Sequence, residues 1–255
     1  MTETKPARVV ALGASNLTRG WHTVISAARA AWGTEVDVLG ALGHGRSYGV
    51  PSRAFGRTLP GILESGLWHT LSSLPPAQSR GLVTDVGNDI LYGFSAAQTL
   101  EWVEEAVDRL QRVTRDVVLA GLPLASVRRL SRPKFLLFRS ILFPWSRLSL
   151  PEVVEAAEQL SEGIAALSNA RGLRLVNLRT EWYGADPIHI RPDFWRHAWQ
   201  EILGADAPRE SPALAMTEGL QLYLMRAEHQ QLFGVEVGRP QSGTRLGRGG
   251  KVWLF

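Results

Sequence analysis

The stretch Arg8-Val9-Val10-Ala11-Leu12, followed directly by Gly13-Ala14-Ser15-Asn16-Leu17, decides the fold of this chain. A short, unbroken apolar run that ends in small residues is typical of a buried strand leading into a tight turn. The apolar residues after Thr18 recur at helical spacing and predict a helix there. Ser15 is therefore expected at the carboxyl end of a strand, where open α/β sheets bind ligands. The alternative is that its hydroxyl only caps the helix.

Composition narrows the class of protein. The chain has 255 residues and no cysteine, which is enough length for one sizeable α/β domain. The lack of cysteine excludes disulfides, a cysteine-ligated zinc site and a cysteine nucleophile. The polar start of the chain, Met1 to Pro6, and the absence of a long apolar run predict neither a signal peptide nor a membrane-spanning helix. A cytoplasmic location is therefore expected.

The positive charge is concentrated in one segment. No acidic residue occurs between Asp116 and Glu152. The same interval contains six basic residues, namely Arg128, Arg129, Arg132, Lys134, Arg139 and Arg147. The formal net charge is +4, so subtracting these six leaves −2 for the rest of the chain. Because the basic character is local, nucleic-acid binding is not expected.

Strands and helices alternate over residues 1–203. The predicted strands cover about 7–12, 35–39, 81–86, 117–120 and 173–178. The predicted helices cover about 19–32, 58–73, 95–112, 133–143, 151–170 and 194–203, with Pro144-Trp145 ending the fourth of them. This alternation predicts a three-layer α/β/α domain around a mostly parallel five-stranded sheet.

The pattern changes at Gly204. A polar loop at 205–211, a helical stretch of about 214–231 and a Gly/Arg-rich end are predicted to form a C-terminal appendage, 204–255, packed on the domain or used in oligomerisation. Within the domain, residues of about 124–150 form a basic apolar insertion. Three interpretations of the insertion are open: a lid over an acyl-chain pocket, contact with an anionic membrane surface, or structural packing.

Four polar blocks follow predicted strands, and loops at the carboxyl ends of parallel strands share one edge of the sheet. The blocks are Gly13-Ala14-Ser15-Asn16-Leu17, Gly43-His44-Gly45-Arg46-Ser47, Gly87-Asn88-Asp89 and Asp186-Pro187-Ile188-His189. Together they contain what acyl transfer needs. Ser15 is a candidate nucleophile, His189 a candidate general base and Asp186 a carboxylate to orient it. The Ser15 and Gly45 amides and the Asn88 side chain are candidate oxyanion donors.

In content and order, these four blocks resemble the sequence blocks of the SGNH (GDSL-type) hydrolases. The resemblance covers about residues 7–200 and leaves the last quarter of the chain unexplained. It implies a flavodoxin-like α/β/α fold, a small-molecule ester or thioester substrate, an acyl-enzyme intermediate, and no metal or organic cofactor. It assigns Ser15 as nucleophile, Gly45 and Asn88 as oxyanion donors, and Asp186 with His189 as the charge-relay pair.

Three positions in or near these blocks depart from the family pattern, and two of them lie at the first two blocks. Ala14 stands where the family usually has Asp, which predicts altered hydrogen bonding in the loop rather than lost activity. Gly40 stands where an Asn usually precedes the oxyanion glycine, and this leaves Gly43 as a competing assignment. Gly45 is preferred because the small polar residue Ser47 follows it at the family spacing.

Two other function classes stay open at this point. One is a catalytically inactive protein of the same fold that binds or scaffolds. Ala14, and Ile190 in place of the Pro that usually follows the histidine, leave room for it. The other is an acyltransferase that uses the same triad and passes the acyl group to an alcohol or a sugar. The remaining histidines lack partners at metal-ligand spacing, so no metal is expected.

Overall fold

The structure of this chain, a computed structural model, describes residues 7–143, 146–204, 214–247 and 249–255, with the backbone alone at 141 and 142. Within these ranges the strands are β1 Arg8–Leu12, β2 Asp37–Ala41, β3 Ser52–Ala54, β4 Arg57–Leu59, β5 Ser79–Val83, β6 Val117–Ala120, β7 Arg174–Val176, β8 His229–Leu232, β9 Val235–Gly238, β10 Thr244–Arg245 and β11 Lys251–Leu254. The helices are α1 Ser15–Trp32, α2 Leu67–Ser73, α3 Asn88–Leu91, α4 Ala96–Gln111, α5 Leu124–Arg128, α6 Arg132–Leu142, α7 Leu150–Arg171, α8 Trp195–Leu203 and α9 Met216–Leu224.

A mostly parallel sheet forms the middle of the molecule. Its strand order is β10-β11-β2-β1-β5-β6-β7, and the edge strand β10 runs antiparallel to β11 while the other pairs are parallel. The five predicted strands form the run from β2 to β7. The predicted strand number is wrong, because β11 adds to the outer edge of β2 and β10 pairs with β11.

Both faces of the sheet are covered by helices. Along β1, Val9 and Ala11 point into one apolar core and Val10 and Leu12 into the other, as expected for a strand whose side chains alternate. The helix pair α1 and α8 covers the first face, and the pair α4 and α7 covers the second. This confirms the predicted three-layer α/β/α architecture, and the continuous apolar character of β1 follows from its burial on both sides.

A small antiparallel sheet, in the order β3-β4-β8-β9, was not expected from the sequence. The prediction of a helical stretch over about 58–73 is wrong at its start, because Arg57–Leu59 is a strand; Ile62–Glu64 forms a short 3-10 helix and the α-helix begins at Leu67. The helix predicted over about 214–231 is also wrong beyond Leu224, since His229–Leu232 pairs with β4 and β9. In both cases pairing with a distant segment overrides the local pattern.

The C-terminal segment contributes directly to the central sheet. Val252 lies opposite Val38 in the β11–β2 pair, and Trp253 and Phe255 are buried in the same core as β1. Two of the segment's strands are thus continuous with the sheet of the first 203 residues. The division of the chain into a domain and an appendage, and a role of the latter in oligomerisation, stay predictions.

The basic apolar insertion contains α5, α6 and the first residue of α7. Three predictions lie outside the described residues: the polar start at 1–6, the helix end at Pro144-Trp145 and the polar loop at 205–211. None of the helices in the described ranges is both long enough and apolar enough to cross a membrane.

Candidate active site

Ser15 lies where β1 runs into α1, at the carboxyl edge of the central sheet. It is the first residue of α1 and is largely buried. The hypothesis that its hydroxyl only caps this helix is wrong. The cap comes instead from Asp85, whose Oδ2 accepts hydrogen bonds from the amides of Ala14 at 2.8 Å and Leu17 at 3.1 Å. The Ser15 hydroxyl is therefore available for another partner.

That partner is His189. The distance between Ser15 Oγ and His189 Nε2 is 2.9 Å, and the other ring nitrogen, Nδ1, lies 2.6 Å from Asp186 Oδ2. The His189 ring is buried, whereas the Asp186 side chain is about one-third exposed (35%). Three side chains from two distant loops thus form one hydrogen-bonded line, the arrangement that activates a serine hydroxyl.

The turn between Asp186 and His189 orients the Asp186 carboxylate towards the His189 ring. Asp186 Oδ1 accepts hydrogen bonds from the amides of Ile188 and His189, both at 3.2 Å. Burial raises the pKa of the Asp186 carboxyl, but the hydrogen bonds and charge interaction with His189 and the two amide bonds lower it by more. The net pKa lies below its usual value, so Asp186 is ionised at neutral pH and suited to stabilise an imidazolium.

Asn16 connects the serine loop with the histidine loop. Its Nδ2 donates to Asp85 Oδ1 and to the Ile188 carbonyl, both at 2.8 Å, and its Oδ1 accepts from the Ile190 amide at 2.8 Å. Sequence reasoning assigned no role to Asn16 or Asp85. The available signal was a polar residue beside Ser15 and another that follows a buried strand. Asp85 adopts a φ of 58°, a conformation for which Asp is among the better suited residues.

The candidate oxyanion donors Asn88 and Gly45 differ in their position relative to the cavity that Ser15 lines. Asn88 lines the same cavity as Ser15, and its Nδ2 lies 3.4 Å from the Arg46 carbonyl, a long and weak hydrogen bond. Gly45 has a φ of 63° and its carbonyl accepts from the Tyr92 hydroxyl at 2.5 Å. Gly45 does not line that cavity. The assignment of Gly45 over Gly43 stays a prediction.

The second and third sequence blocks are joined through Asp89. This buried carboxylate accepts hydrogen bonds from the Ser47 hydroxyl and, at 3.0 Å, from the Tyr48 amide. Burial raises the pKa of Asp89 to about 6, and these two hydrogen bonds offset only part of the effect. The loop after β2 is thereby fixed to α3, the helix that begins at Asn88.

Arg46 links the same loop to the C-terminal strand. Its side chain is fully buried and donates to the carbonyls of Leu42 and Pro60, at 3.2 and 3.1 Å, and to the Phe255 backbone oxygen. Burial, and to a smaller extent Arg57, lowers the pKa of Arg46 to about 9. The guanidinium therefore stays charged at neutral pH and depends on these oxygens for its solvation.

Ser15 and Asn88 line a cavity of about 700 Å³, a volume that includes the open solvent at its mouth. Beyond these polar residues its walls are mostly apolar and come from α3, α5, α7 and the loops after β6 and β7, including Ile90, Leu91, Leu122, Leu124, Val127 and Val153. In the described part of the chain, no three His, Asp or Glu side chains are grouped as metal ligands would be.

Comparison with known proteins gives a likeness of fold. No family model and no curated protein matches this chain. It is similar to the crystal structure of a carbohydrate acetylesterase family member from Sinorhizobium meliloti, with a TM-score of 0.52 and 16% identity over 77% of this chain and 95% of that one. It is also similar to Est24, a carbohydrate acetylesterase from Sinorhizobium meliloti, with a TM-score of 0.51 and 15% identity over 77% of this chain and 97% of that one. The fold implied by the sequence resemblance is thus confirmed.

Proposed function

We propose that this chain is a serine esterase that cleaves a carboxylic ester or thioester through an acyl-enzyme on Ser15. The observation that carries the proposal is the hydrogen-bonded line from Ser15 Oγ through His189 to Asp186, with distances of 2.9 and 2.6 Å. Ser15 lines the cavity beside Asn16 and Asn88, so a substrate carbonyl bound there can reach the hydroxyl. The names of the two similar structures, both carbohydrate acetylesterases, agree with ester chemistry.

In the first half of the reaction, Ser15 Oγ attacks the carbonyl carbon and its proton passes to His189 Nε2. The carbonyl oxygen becomes an oxyanion that accepts hydrogen bonds from the Ser15 and Gly45 amides and the Asn88 side chain. The tetrahedral intermediate then collapses and breaks the bond to the alcohol or thiol. This leaving group takes the proton from His189, and the acyl group stays on Ser15 as an ester.

In the second half, a water molecule replaces the leaving group. His189 takes a proton from this water as it attacks the acyl-Ser15 carbonyl, which forms a second oxyanion in the same place. When that intermediate collapses, the carboxylic acid departs and the proton returns to Ser15 Oγ. Asp186 stays ionised throughout and stabilises the imidazolium that forms in each half.

Labelling with a fluorophosphonate probe tests the proposal directly. The wild-type protein should label at Ser15 and hydrolyse p-nitrophenyl acetate, because an activated serine attacks the phosphorus and carbonyl centres alike. Ser15→Ala should abolish both. Ser26→Ala, which removes a buried hydroxyl from the same helix, should retain both.

An unlabelled wild-type protein, or a Ser15→Ala protein that still turns over ester, would overturn the proposal. The former result would favour the catalytically inactive binding protein. Product analysis with an added alcohol separates the remaining alternative, since an acyltransferase forms a new ester where a hydrolase releases free acid.

A further inference from the structure

A second cavity of about 460 Å³ adjoins the one that begins at Ser15. The two share four lining residues, Leu91, Val127, Val153 and Ile188, so they adjoin each other, and we treat them as two parts of one groove. We call the part at Ser15 the proximal cavity and the other part the distal cavity. The groove leads from the nucleophile, past the shared residues, to the basic apolar insertion.

The distal cavity is built largely by that insertion. Leu130, which follows α5, and Phe135, Phe138 and Phe143, in or just after α6, form much of its wall. Phe135 and Phe143 are buried although they belong to a segment rich in exposed basic residues. The insertion therefore turns its phenylalanines towards the groove, whereas Leu136 and Leu137 of α6 are exposed.

The distal cavity offers almost no polar group to a ligand. Among the residues that the structure describes, one charged residue, Arg139, lines it; its Nη1 donates to the Leu148 carbonyl at 2.9 Å and its guanidinium lies 5.9 Å from the centre of the Phe135 ring. A polar or sugar-like group there would lose its hydrogen bonds to water without replacement. An unbranched aliphatic chain has no hydrogen bonds to water to lose, and it gains apolar contact along its whole length.

We propose that the groove binds an unbranched aliphatic chain of the ester substrate, with its distal part held by the insertion. The inference rests on the proposed function, because it places the reacting carbonyl at Ser15. It makes Val127 and Leu130 specificity-determining residues, the first at the junction of the two cavities and the second in the distal cavity alone. Of the three interpretations of the insertion, this proposal is nearest to the lid, but it makes the insertion a wall of the chain-binding groove.

Two ester series test this proposal and show whether the bound chain belongs to the acyl group or to the alcohol of the ester. One varies the acyl group of p-nitrophenyl esters from acetyl to decanoyl, and the other varies the alcohol of acetate esters from ethyl to decyl. In one of the two series kcat/KM should rise by about three- to fourfold for each methylene that enters the groove, until the distal cavity is filled. A flat profile in both series would overturn the proposal.

Variants locate the effect. Leu130→Trp fills the distal cavity and should abolish the preference for long chains. Leu137→Trp makes the same change on the exposed side of α6, where the leucine is 59% exposed, and should keep the wild-type profile. Val127→Phe should act earlier, reducing turnover at shorter chain lengths than Leu130→Trp. Equal profiles in Leu130→Trp and Leu137→Trp would contradict the assignment of the distal cavity.

A binding measurement tests the groove independently of the proposed esterase activity. Calorimetric titration of Ser15→Ala protein with decanoate and with butanoate requires no turnover. Tighter binding of decanoate, weakened by adding Leu130→Trp but not Leu137→Trp, would support the groove even if esterase activity failed. Fluorophosphonate labelling with no chain-length effect in kinetics or binding would retain the esterase and reject the groove.

Discussion

At the scale of single residues, the candidate triad depends on an asparagine that has no part in bond making. Asn16 hydrogen-bonds at 2.8 Å to Asp85, to the Ile188 carbonyl and to the Ile190 amide. It therefore fixes the residues on both sides of His189 relative to the turn that carries Ser15. In this role Asn16 is a positioning residue, and its loss should disturb the approach of the imidazole to the hydroxyl.

We expect Asn16→Ala to lower kcat on the order of 10- to 100-fold with a smaller change in KM, because misplacement of reacting groups by about 1 Å costs this much. Esterase kinetics and the rate of fluorophosphonate labelling measure the effect. Asn169→Ala removes an exposed asparagine from α7 and is the matched control. If both variants react at the wild-type rate, Asn16 does not position the histidine loop.

We expect the Asp186 carboxylate, 2.6 Å from His189 Nδ1, to set the tautomer of that ring. In Asp186→Asn, the amide can donate to Nδ1, which leaves the proton on Nε2 and prevents that nitrogen from accepting the proton of Ser15. We expect kcat to fall by roughly 10³–10⁴ while the fold is retained. Asp193→Asn, at a carboxylate that is 74% exposed, should have no such effect. Near-normal turnover in Asp186→Asn would show that the carboxylate is dispensable.

At the scale of elements, loops that follow different strands are joined by two carboxylates, the half-buried Asp85 and the buried Asp89. Asp85 ties the end of β5 to the start of α1, and Asp89 ties α3 to the loop after β2. At Ala14, where altered hydrogen bonding in the loop was predicted, the backbone amide donates to Asp85. Because Asp89 is buried and its pKa is about 6, the second connection depends on pH.

The sign of that dependence follows from the raised pKa. Between the usual aspartate pKa and about pH 6, the folded protein holds a proton on Asp89 that the unfolded chain has lost. The free energy of unfolding should therefore decrease as pH rises through this window, by roughly 2–3 kcal/mol from this group. Urea unfolding at several pH values should show a flatter profile for Asp89→Asn than for wild type.

The exposed Asp193 provides the control for that measurement. Asp193→Asn removes one carboxylate without changing a buried site, and its pH profile should parallel that of the wild type. An Asp89→Asn protein whose stability fell with pH as steeply as the wild type would show that Asp89 is not the titrating group.

At the scale of the whole molecule, the C-terminal strand is part of the structure that supports the candidate site. β11 extends the central sheet at β2, and the Phe255 backbone oxygen accepts a hydrogen bond from the buried Arg46 beside Gly45. Trp253 is 3% exposed and packs in the same core as α4 and α7. Damage to this strand should thus reach the edge of the sheet that carries the candidate site.

We expect Trp253→Ala to lower the free energy of unfolding of the whole protein by about 3–5 kcal/mol, because it leaves a large cavity in the core. Urea unfolding followed by fluorescence and by residual esterase activity should give a single shifted transition. Tyr223→Ala, at an aromatic residue that is 85% exposed, should leave the transition in place. An unchanged transition in Trp253→Ala would mean that the segment packs as a separable appendage.

By itself, the sequence determined the layered architecture and the edge at which the polar blocks meet. An apolar run such as Arg8–Leu12 indicates a strand that is buried on both faces. In a parallel sheet the carboxyl ends of such strands lie at one edge. That was enough to predict that Ser15, Asp186 and His189 approach one another, and they do so within hydrogen-bonding distance. Their catalytic roles stay proposals.

Only the tertiary structure decided which distant segments pair and which polar atoms meet. Two C-terminal strands, Thr244–Arg245 and Lys251–Leu254, join the central sheet, and His229–Leu232 pairs with Arg57–Leu59. The local periodicity of these segments does not predict which strands they pair with. The bridge from Asn16 to Ile188 and Ile190 likewise joins loops far apart in the chain. Strand pairing and buried hydrogen bonds depend on the partner segment, so a local pattern of apolar and polar residues does not specify them.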